Sequence, residues 1–374
     1  MTDISQQLTA QVLEASHSKT ALRIQGGHSK PFMGRQTDAL ANAELLNVGE
    51  HRGIVDYQPV ELVLTARAGT PLLEIEQALD EHQQMLAFEP PHFATSDTLG
   101  GTLACNLSGP ARPWGGSIRD HVLGTRLING KGEHLRFGGQ VMKNVAGYDV
   151  SRLQAGAMGS LGVITEVSLK VLPKPAHTVT IKAEMDAKAA IQLMNQRSGV
   201  AKPLTAACWF QGELYMRLSG AKSAVDATLK AWAGEVVTDA EQFWQALRDQ
   251  RLAFFDDVDY GQGGLPLWRF SLKPTAVFGA ENQAITQDGH SINDQQLLID
   301  WGGAQRWYKG EADMSLMHAL AAKHGGQVSL FCGGDRGAEV FHAQPHALQQ
   351  IQKRLKHSFD PQGIFNPGQL YNWL

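Results

Sequence analysis

The sequence predicts an α+β protein: a glycine-punctuated N-terminal part followed by a smaller, antiparallel second part, within 374 residues. Three observations carry this. In the second part strands and helices alternate in an antiparallel rhythm that fits a split βαβ sandwich, and in the first a strong hairpin signal, Asn129-Gly130-Lys131-Gly132, lies between His121–Ile128 and Glu133–Phe137. Pro173-Lys174-Pro175 breaks the pattern in mid-chain. Glycine, 39 residues in all, clusters at 26–27, 100–101, 115–116, 138–139 and 156–162, as expected of a backbone wrapped closely around a large ligand.

The elements follow in order. Ile4, Leu8, Val12 and Leu13 recur at helical spacing, so the chain opens on a helix over 4–13. A strand over 21–25 runs into Gly26-Gly27-His28-Ser29, and 61–67 is a second strand. Thr70-Pro71 then offers a capping hydroxyl and a first-turn proline, with Leu72, Ile75 and Leu79 as the buried stripe. A short strand spans 85–88, and a long strand over 163–172 stops at the prolines. Beyond them, strands are expected at 178–183, 206–210, 214–218, 268–272, 297–301 and 305–308, with helices at 187–196, 224–232, 314–323 and in the tail from 346. Phe254-Phe255-Asp256-Asp257-Val258-Asp259 reads as a surface turn.

Composition removes several classes of function. A formal net charge of −4 with mixed signs argues against nucleic acid as a partner. No run of about 20 apolar residues could span a bilayer, and the first residues lack the basic, apolar and small-residue regions of a signal peptide. A cytoplasmic protein is expected, peripheral at the inner membrane only through partners. Cys105, Cys208 and Cys332 are scattered, which suits small buried residues rather than disulfides or an iron–sulfur cluster.

Three motifs carry the chemistry. Arg23-Ile24-Gln25-Gly26-Gly27-His28-Ser29 ends a strand in a glycine turn whose amides can cradle phosphate oxygens, with Ser29 adding a hydroxyl. No Gly-x-Gly-x-x-Gly or Walker lysine opens a helix there, so a Rossmann or P-loop site is disfavoured. Ser96 to Gly109 joins hydroxyls and a glycine pair to a small-residue stretch suited to a flat ligand. Finally, Asp149 is a plausible N-cap after Gly147-Tyr148, and Gly156, Gly159 and Gly162 allow close backbone approach before the next strand.

Together with the tail Asp360-Pro361-Gln362-Gly363-Ile364-Phe365-Asn366-Pro367-Gly368, these motifs resemble the vanillyl-alcohol oxidase / p-cresol methylhydroxylase (PCMH-type) FAD-binding family. The resemblance implies a two-lobed PCMH-type FAD-binding domain over 1–175, an antiparallel α+β cap over 176–340 and a C-terminal return over 341–374. FAD is the implied cofactor. Gly26, Gly27, His28 and Ser29 would meet its pyrophosphate. Asp97, Thr98, Gly100, Gly101, Asn106, Ser108 and Gly109 would line pyrophosphate and isoalloxazine, Gly156, Gly159, Gly162 and Ile164 would lie beside adenosine and pyrophosphate, and Asn366 near the ring. His28 stands in a Gly-Gly-His context that in some family members binds flavin covalently. Its arginine is displaced by one, and a loop histidine bonded to phosphate or water is the favoured reading.

Met142–Val150, Gln154–Gly162 and Leu267-Trp268-Arg269 are similar to the flavin-binding E subunits of bacterial glycolate oxidases. That resemblance implies FAD-dependent oxidation of a small 2-hydroxy acid, glycolate to glyoxylate, with a second flavin subunit and an iron–sulfur subunit as partners. Catalytic flavin subunits of this branch carry a His-x-Gly-Asp-Gly-Asn-x-His metal motif. Here Phe331-Cys332-Gly333-Gly334-Asp335-Arg336-Gly337 stands in its place, offering only Asp335, so no metal site is expected and the chain should depend on its complex. The alternatives are a self-sufficient, metal-free 2-hydroxy-acid dehydrogenase and a non-catalytic structural subunit. On the substrate side, Arg269 could grip a carboxylate; Tyr308 and His324, with Arg306, are the other candidates, and none is singled out as the base.

Overall fold

The structure is a computed structural model that describes residues 2–139, 149–278 and 295–374. Of the Met142–Val150 stretch, only Asp149 and Val150 fall within them. Helix α1 (Ser5–Ser18) buries Leu8, Val12 and Ala15 and stops at Lys19, which turns left-handed at φ 56°. Strand β1 (Leu22–Gln25), helix α2 (Asp38–Ala41) and strand β2 (Glu44–Asn47) follow, β1 and β2 pairing in parallel. Then come β3 (Ile54–Gln58), β4 (Val63–Arg67), α3 (Leu72–Asp80), β5 (Gln84–Met85), α4 (Leu99–Cys105), α5 (Arg112–Gly115) and α6 (Ile118–His121). The hairpin expected around Asn129 is β6 (Val122–Ile128) with β7 (His134–Gly138); α7 (Val150–Leu153), β8 (Val163–Lys170) and β9 (Leu172–Pro173) complete this part. Asp149 caps α7 as anticipated, accepting from Arg152 N at 3.0 Å.

The sheet runs β3-β4-β8-β6-β7, antiparallel throughout. One face packs Leu64, Leu127 and Val167 against α1 and against Leu72, Ile75 and Leu79 of α3, the stripe read from the sequence. Thr70 does not cap that helix. Its hydroxyl accepts from Gly53 N at 2.9 Å and donates to Gly53 O, so a tertiary contact claims the group that local spacing had assigned to the helix.

The second part contains β10 (His177–Glu184), α8 (Ala187–Ser198), β11 (Leu204–Phe210), β12 (Glu213–Gly220), α9 (Lys222–Ala231), β13 (Glu235–Val236) and α10 (Ala240–Arg248). After these come β14 (Leu267–Ser271), β15 (Leu297–Asp300), β16 (Gln305–Lys309), α11 (Met314–Lys323) and β17 (Gln327–Cys332). Its strands form one eight-stranded antiparallel sheet, β13-β10-β12-β11-β15-β16-β14-β17. Alternation along each strand sorts residues by face. Ile299, Trp209 and Leu214 meet α8, and Trp268, Phe270 and Tyr308 meet α11. On the other face, Cys208, Leu267, Leu298 and Trp307 meet Phe32, Met33, Leu107 and Met158 of the first part. Phe254 and Phe255 belong to this inner core at 2% and 3% exposure, so the expected surface turn is corrected to a buried 3₁₀ turn: two adjacent phenylalanines outweigh the acidic residues after them.

After α12 (His346–Phe359) the chain returns to the first part. Leu22 donates to Ile364 O at 2.7 Å, and Asn366 donates to Leu22 O at 2.9 Å, adding the tail beside β1. Lys356, buried, donates to Ser160 O and Phe365 O at 2.8 Å and to Asp360 Oδ2 at 2.7 Å, which pins the return.

Candidate functional site

A cleft of about 370 Å³ opens where β1, the start of α4, the turn before β8 and the tail converge. Gly26, Gly27, His28 and Ser29 line one side. The glycines are steric necessities: a Cβ on Gly27 would lie 1.5 Å from Ser96 O, and one on Gly26 would lie 2.7 Å from Thr98 Oγ1. His28 is left-handed at φ 53°. Thr98 caps α4, accepting from Gly101 N at 3.2 Å, and lines the cleft with Gly100 and Gly101. Gly101 is the open position, because a Cβ there would meet only Thr98 Oγ1, at 3.1 Å. Gly159, Gly162 and Ile164 close the far wall. Asn366 ties the tail down, its Oδ1 accepting from Ile24 N at 2.8 Å and its Nδ2 donating to Met158 O at 2.7 Å.

Other expected residues lie behind or beyond this wall. Asp97 is buried beneath the glycine turn, where it accepts from Ser29, Lys30, Phe93 N and Ala94 N. Burial alone would raise its pKa; the Lys30 ammonium and the other donors outweigh that and hold it below the usual carboxylate range. Asn106 ends α4 at φ 51°, beside Gly156, with its Oδ1 buried and unpartnered. Ser108 and Gly109 face a second, smaller chamber.

The cleft also contains residues to which the sequence reading gave no cofactor contact. Arg23 lines it with a buried Nε that has no partner among the described residues, a donor suited to an anion. Met33, Leu40, Val48 and Ala68 add an apolar wall. Arg35 and Arg336 clasp three segments at the rim. Arg35 donates to Gly337 O at 2.7 Å, Ala338 O at 2.9 Å and Gly368 O at 3.0 Å, and Arg336 donates to Gly34 O and to Leu330 O at 2.7 Å. The Asp335 loop thus serves as a fastening, and among the described residues no three His, Cys, Asp or Glu side chains converge to hold a metal ion. Glycine amides, an unpartnered arginine donor and apolar walls in one cleft suit a dinucleotide with a diphosphate and flat rings.

Comparison with known proteins bears on the same segment. An FAD binding domain family matches residues 4–138. Glycolate oxidase subunit GlcE of Escherichia coli (strain K12) is 45% identical over 371 residues, covering 99% of this chain and 98% of that protein. The chain belongs to the GlcE family of glycolate oxidase subunits. FAD is the cofactor of this family member, and the chain is a flavoprotein oxidoreductase subunit. Glycolate oxidase subunit GlcD of Bacillus subtilis (strain 168) is 32% identical over 130 residues, 35% of this chain and 27% of that one. Among solved structures, alkyldihydroxyacetonephosphate synthase superposes with a TM-score of 0.69 at 17% identity, covering 97% of this chain and 75% of its own. The α+β fold with a PCMH-type FAD domain is therefore as expected from the sequence.

The substrate-side candidates separate by face. Tyr308 packs among Trp268, Phe270 and Met317, and His324 ends α11 beside Phe278, both on the sheet face turned away from the FAD domain. Arg306 shares that face; its guanidinium donates to Gly303 O and to Ala276 O, and burial pushes its pKa down to about 9. Arg269 alone of the four faces inward. It lies between the rings of Trp301 and Trp307, 5.1 and 5.7 Å from their centroids, and its Nε donates to Gln305 Oε1 at 2.9 Å. Together with Ser108, Asp300 and Phe93 it lines the second chamber. Asp300 is 3% exposed, and burial pushes its carboxyl up to about 7. Sequence patterning missed Asp300, because an aspartate at the end of an apolar strand reads as an ordinary strand terminus.

Proposed function

We propose that this chain is the FAD-bearing subunit of a glycolate oxidase complex that takes glycolate to glyoxylate and passes the electrons on through a second flavin subunit and an iron–sulfur subunit. The near full-length identity of 45% to a GlcE subunit carries the reading. The cleft supports it. Bound there, FAD supplies the two-electron acceptor chemistry. Amides of the Gly26–Ser29 turn, with Thr98, Gly101 and Arg23, would hold its diphosphate; Gly159, Gly162, Ile164 and Asn366 would bound its rings. Asp97, Asn106, Gly156, Ser108 and Gly109 would support these contacts from behind or from the cap side.

The division into 1–175, 176–340 and 341–374 is consistent with the two sheets, the strands of the first ending before β10 and those of the second lying between 177 and 332. Arg269 is the candidate that would take the substrate carboxylate. No described helix is long and apolar enough to cross a membrane, so an inner-membrane location would come through the partners.

The anaerobic visible spectrum before and after glycolate tests the reading. The assembled complex is expected to bleach. An isolated chain that also bleaches would point to a self-sufficient site, and a chain that takes up no FAD would overturn the proposal.

A further inference from the structure

We propose that Asp300 accepts the hydroxyl proton of a small 2-hydroxy acid whose carboxylate rests on Arg269, in the chamber between the inner sheet face and the Asn106–Gly109 loop. The inference rests on the function proposed above, which supplies the substrate class and FAD.

The sheet register places the parts. Asp300 pairs with Gln305 and Arg269 with Trp307, so Asp300, Gln305 and Arg269 share the inner face, with Gln305 reaching diagonally to the guanidinium. One Asp300 oxygen accepts from Trp301 N at 2.7 Å, and no cation lies within ion-pair distance among the described residues. Opposite them, Ser108 Oγ is buried with no partner. Buried polar groups are ordinarily satisfied; Ser108 Oγ is not, and it shares the chamber with the Asp300 carboxylate and the Arg269 guanidinium, which hold one hydrogen bond each among the described residues, a set that matches the ends of a 2-hydroxy acid.

The backbone is strained to build this arrangement. Trp301, Gly302 and Gly303 stand at φ 55°, 62° and 102° in succession, and the Trp301 indole donates to Gly109 O at 3.0 Å, binding the cap to the FAD domain beside Asp300. A bulky residue in the left-handed region is uncommon, and strained backbone of this kind clusters at functional sites. Around Asp300 stand Glu89, Arg217, Arg269 and Cys208. Glu89 is held by Arg217 at 2.7 Å and by Ala111 N, so the pair neutralises itself, and burial dominates at Asp300.

In the step, the substrate O–H bond breaks and its proton passes to a carboxylate oxygen of Asp300. The C2–H bond breaks with its hydrogen and electron pair going to FAD, the C=O bond forms, and the 2-oxo acid is left on Arg269. The chamber's free space is about 20 Å³, room for a water. Its wall contains Phe93 and Phe331, on which Phe32 packs at 5.1 and 5.7 Å, between the cleft-lining Pro31 and Met33. A 2-hydroxy acid is larger than that space, so the proposal requires this wall to move aside for substrate to enter and to meet FAD.

Two measurements on the assembled complex test the proposal: anaerobic reduction of FAD by glycolate across pH, and proton uptake when oxalate binds, by calorimetry in buffers of different ionisation enthalpy. The wild-type rate is expected to rise with pH through about 7 and that of Asp300→Asn to fall about a hundredfold or more and lose this limb. Oxalate should bind wild type with proton uptake, bind Asp300→Asn without it, and be lost in Arg269→Met. Wild type that binds oxalate with no proton uptake, or Asp300→Asn that keeps the rate and the limb, overturns the role of Asp300 and leaves the proposed function standing. Wild-type FAD that glycolate does not reduce overturns both.

Discussion

At the scale of single residues, the cleft at the glycine turn separates positions that keep the protein folded from positions that leave room. Gly27 belongs to the first kind, since any side chain would strike Ser96 O. Gly101 belongs to the second, so Gly101→Trp should yield a folded, colourless protein whose Tm stays near that of the apoprotein; full flavin content after purification would show that the cofactor lies elsewhere. Asp97 and Asp300 have opposite pH signatures. The depressed pKa of Asp97 stabilises the fold above its unfolded value of about 4, and that contribution disappears as pH falls through the folded value. Asp97→Asn should therefore cost about 3 kcal/mol at neutral pH, with the gap narrowing in acid unfolding curves. Asp300 is raised, so its carboxyl costs nothing below about 4 and its full penalty above about 7. Asp300→Asn should melt several degrees above wild type at pH 8 and level with it near pH 4, as differential scanning calorimetry would record.

At the scale of elements, what was readable followed periodicity. The α1 and α3 stripes, the β6–β7 hairpin and the strands around Arg269 all have apolar residues at regular spacing, and turn chemistry marked their ends. α4 was not readable, because Leu99-Gly100-Gly101-Thr102 has poor helix formers; Thr98 caps it and the packing of Leu99 and Leu103 holds it. β2, β3 and α10 were passed over, being short or half-exposed. The segments that line the cleft could be read because glycine turns are local. Facing could not: Tyr308 and Arg269 both sit on strands rich in aromatics, and only the register shows that one turns toward the FAD domain and the other away. Pinning of the return is likewise tertiary. Lys356→Met would leave the Asp360 carboxylate buried without its cation, and about 3 kcal/mol should be lost in urea unfolding.

At the scale of the whole molecule, Arg35 and Arg336 fasten the first part, the loop after β17 and the tail to one another at the rim of the cleft. Arg336→Ala would strip donors from Gly34 O and Leu330 O, a loss of about 2 kcal/mol. FAD should then leave at least about tenfold faster, read as the rise of free-flavin fluorescence on dilution. Unchanged release would mean that the cap fastening and the cofactor loop act independently.

The tail beside β1 sets an order of events in the cell. Ile24 and Asn366, hydrogen-bonded across 342 positions of sequence, meet at the cleft. During synthesis the amino-terminal lobe emerges long before its last wall is made, and the entire cap must be translated in between. The cleft is therefore completed late in the life of this polypeptide. Until then the apolar wall of Leu40, Val48 and Ala68 has no tail to close against.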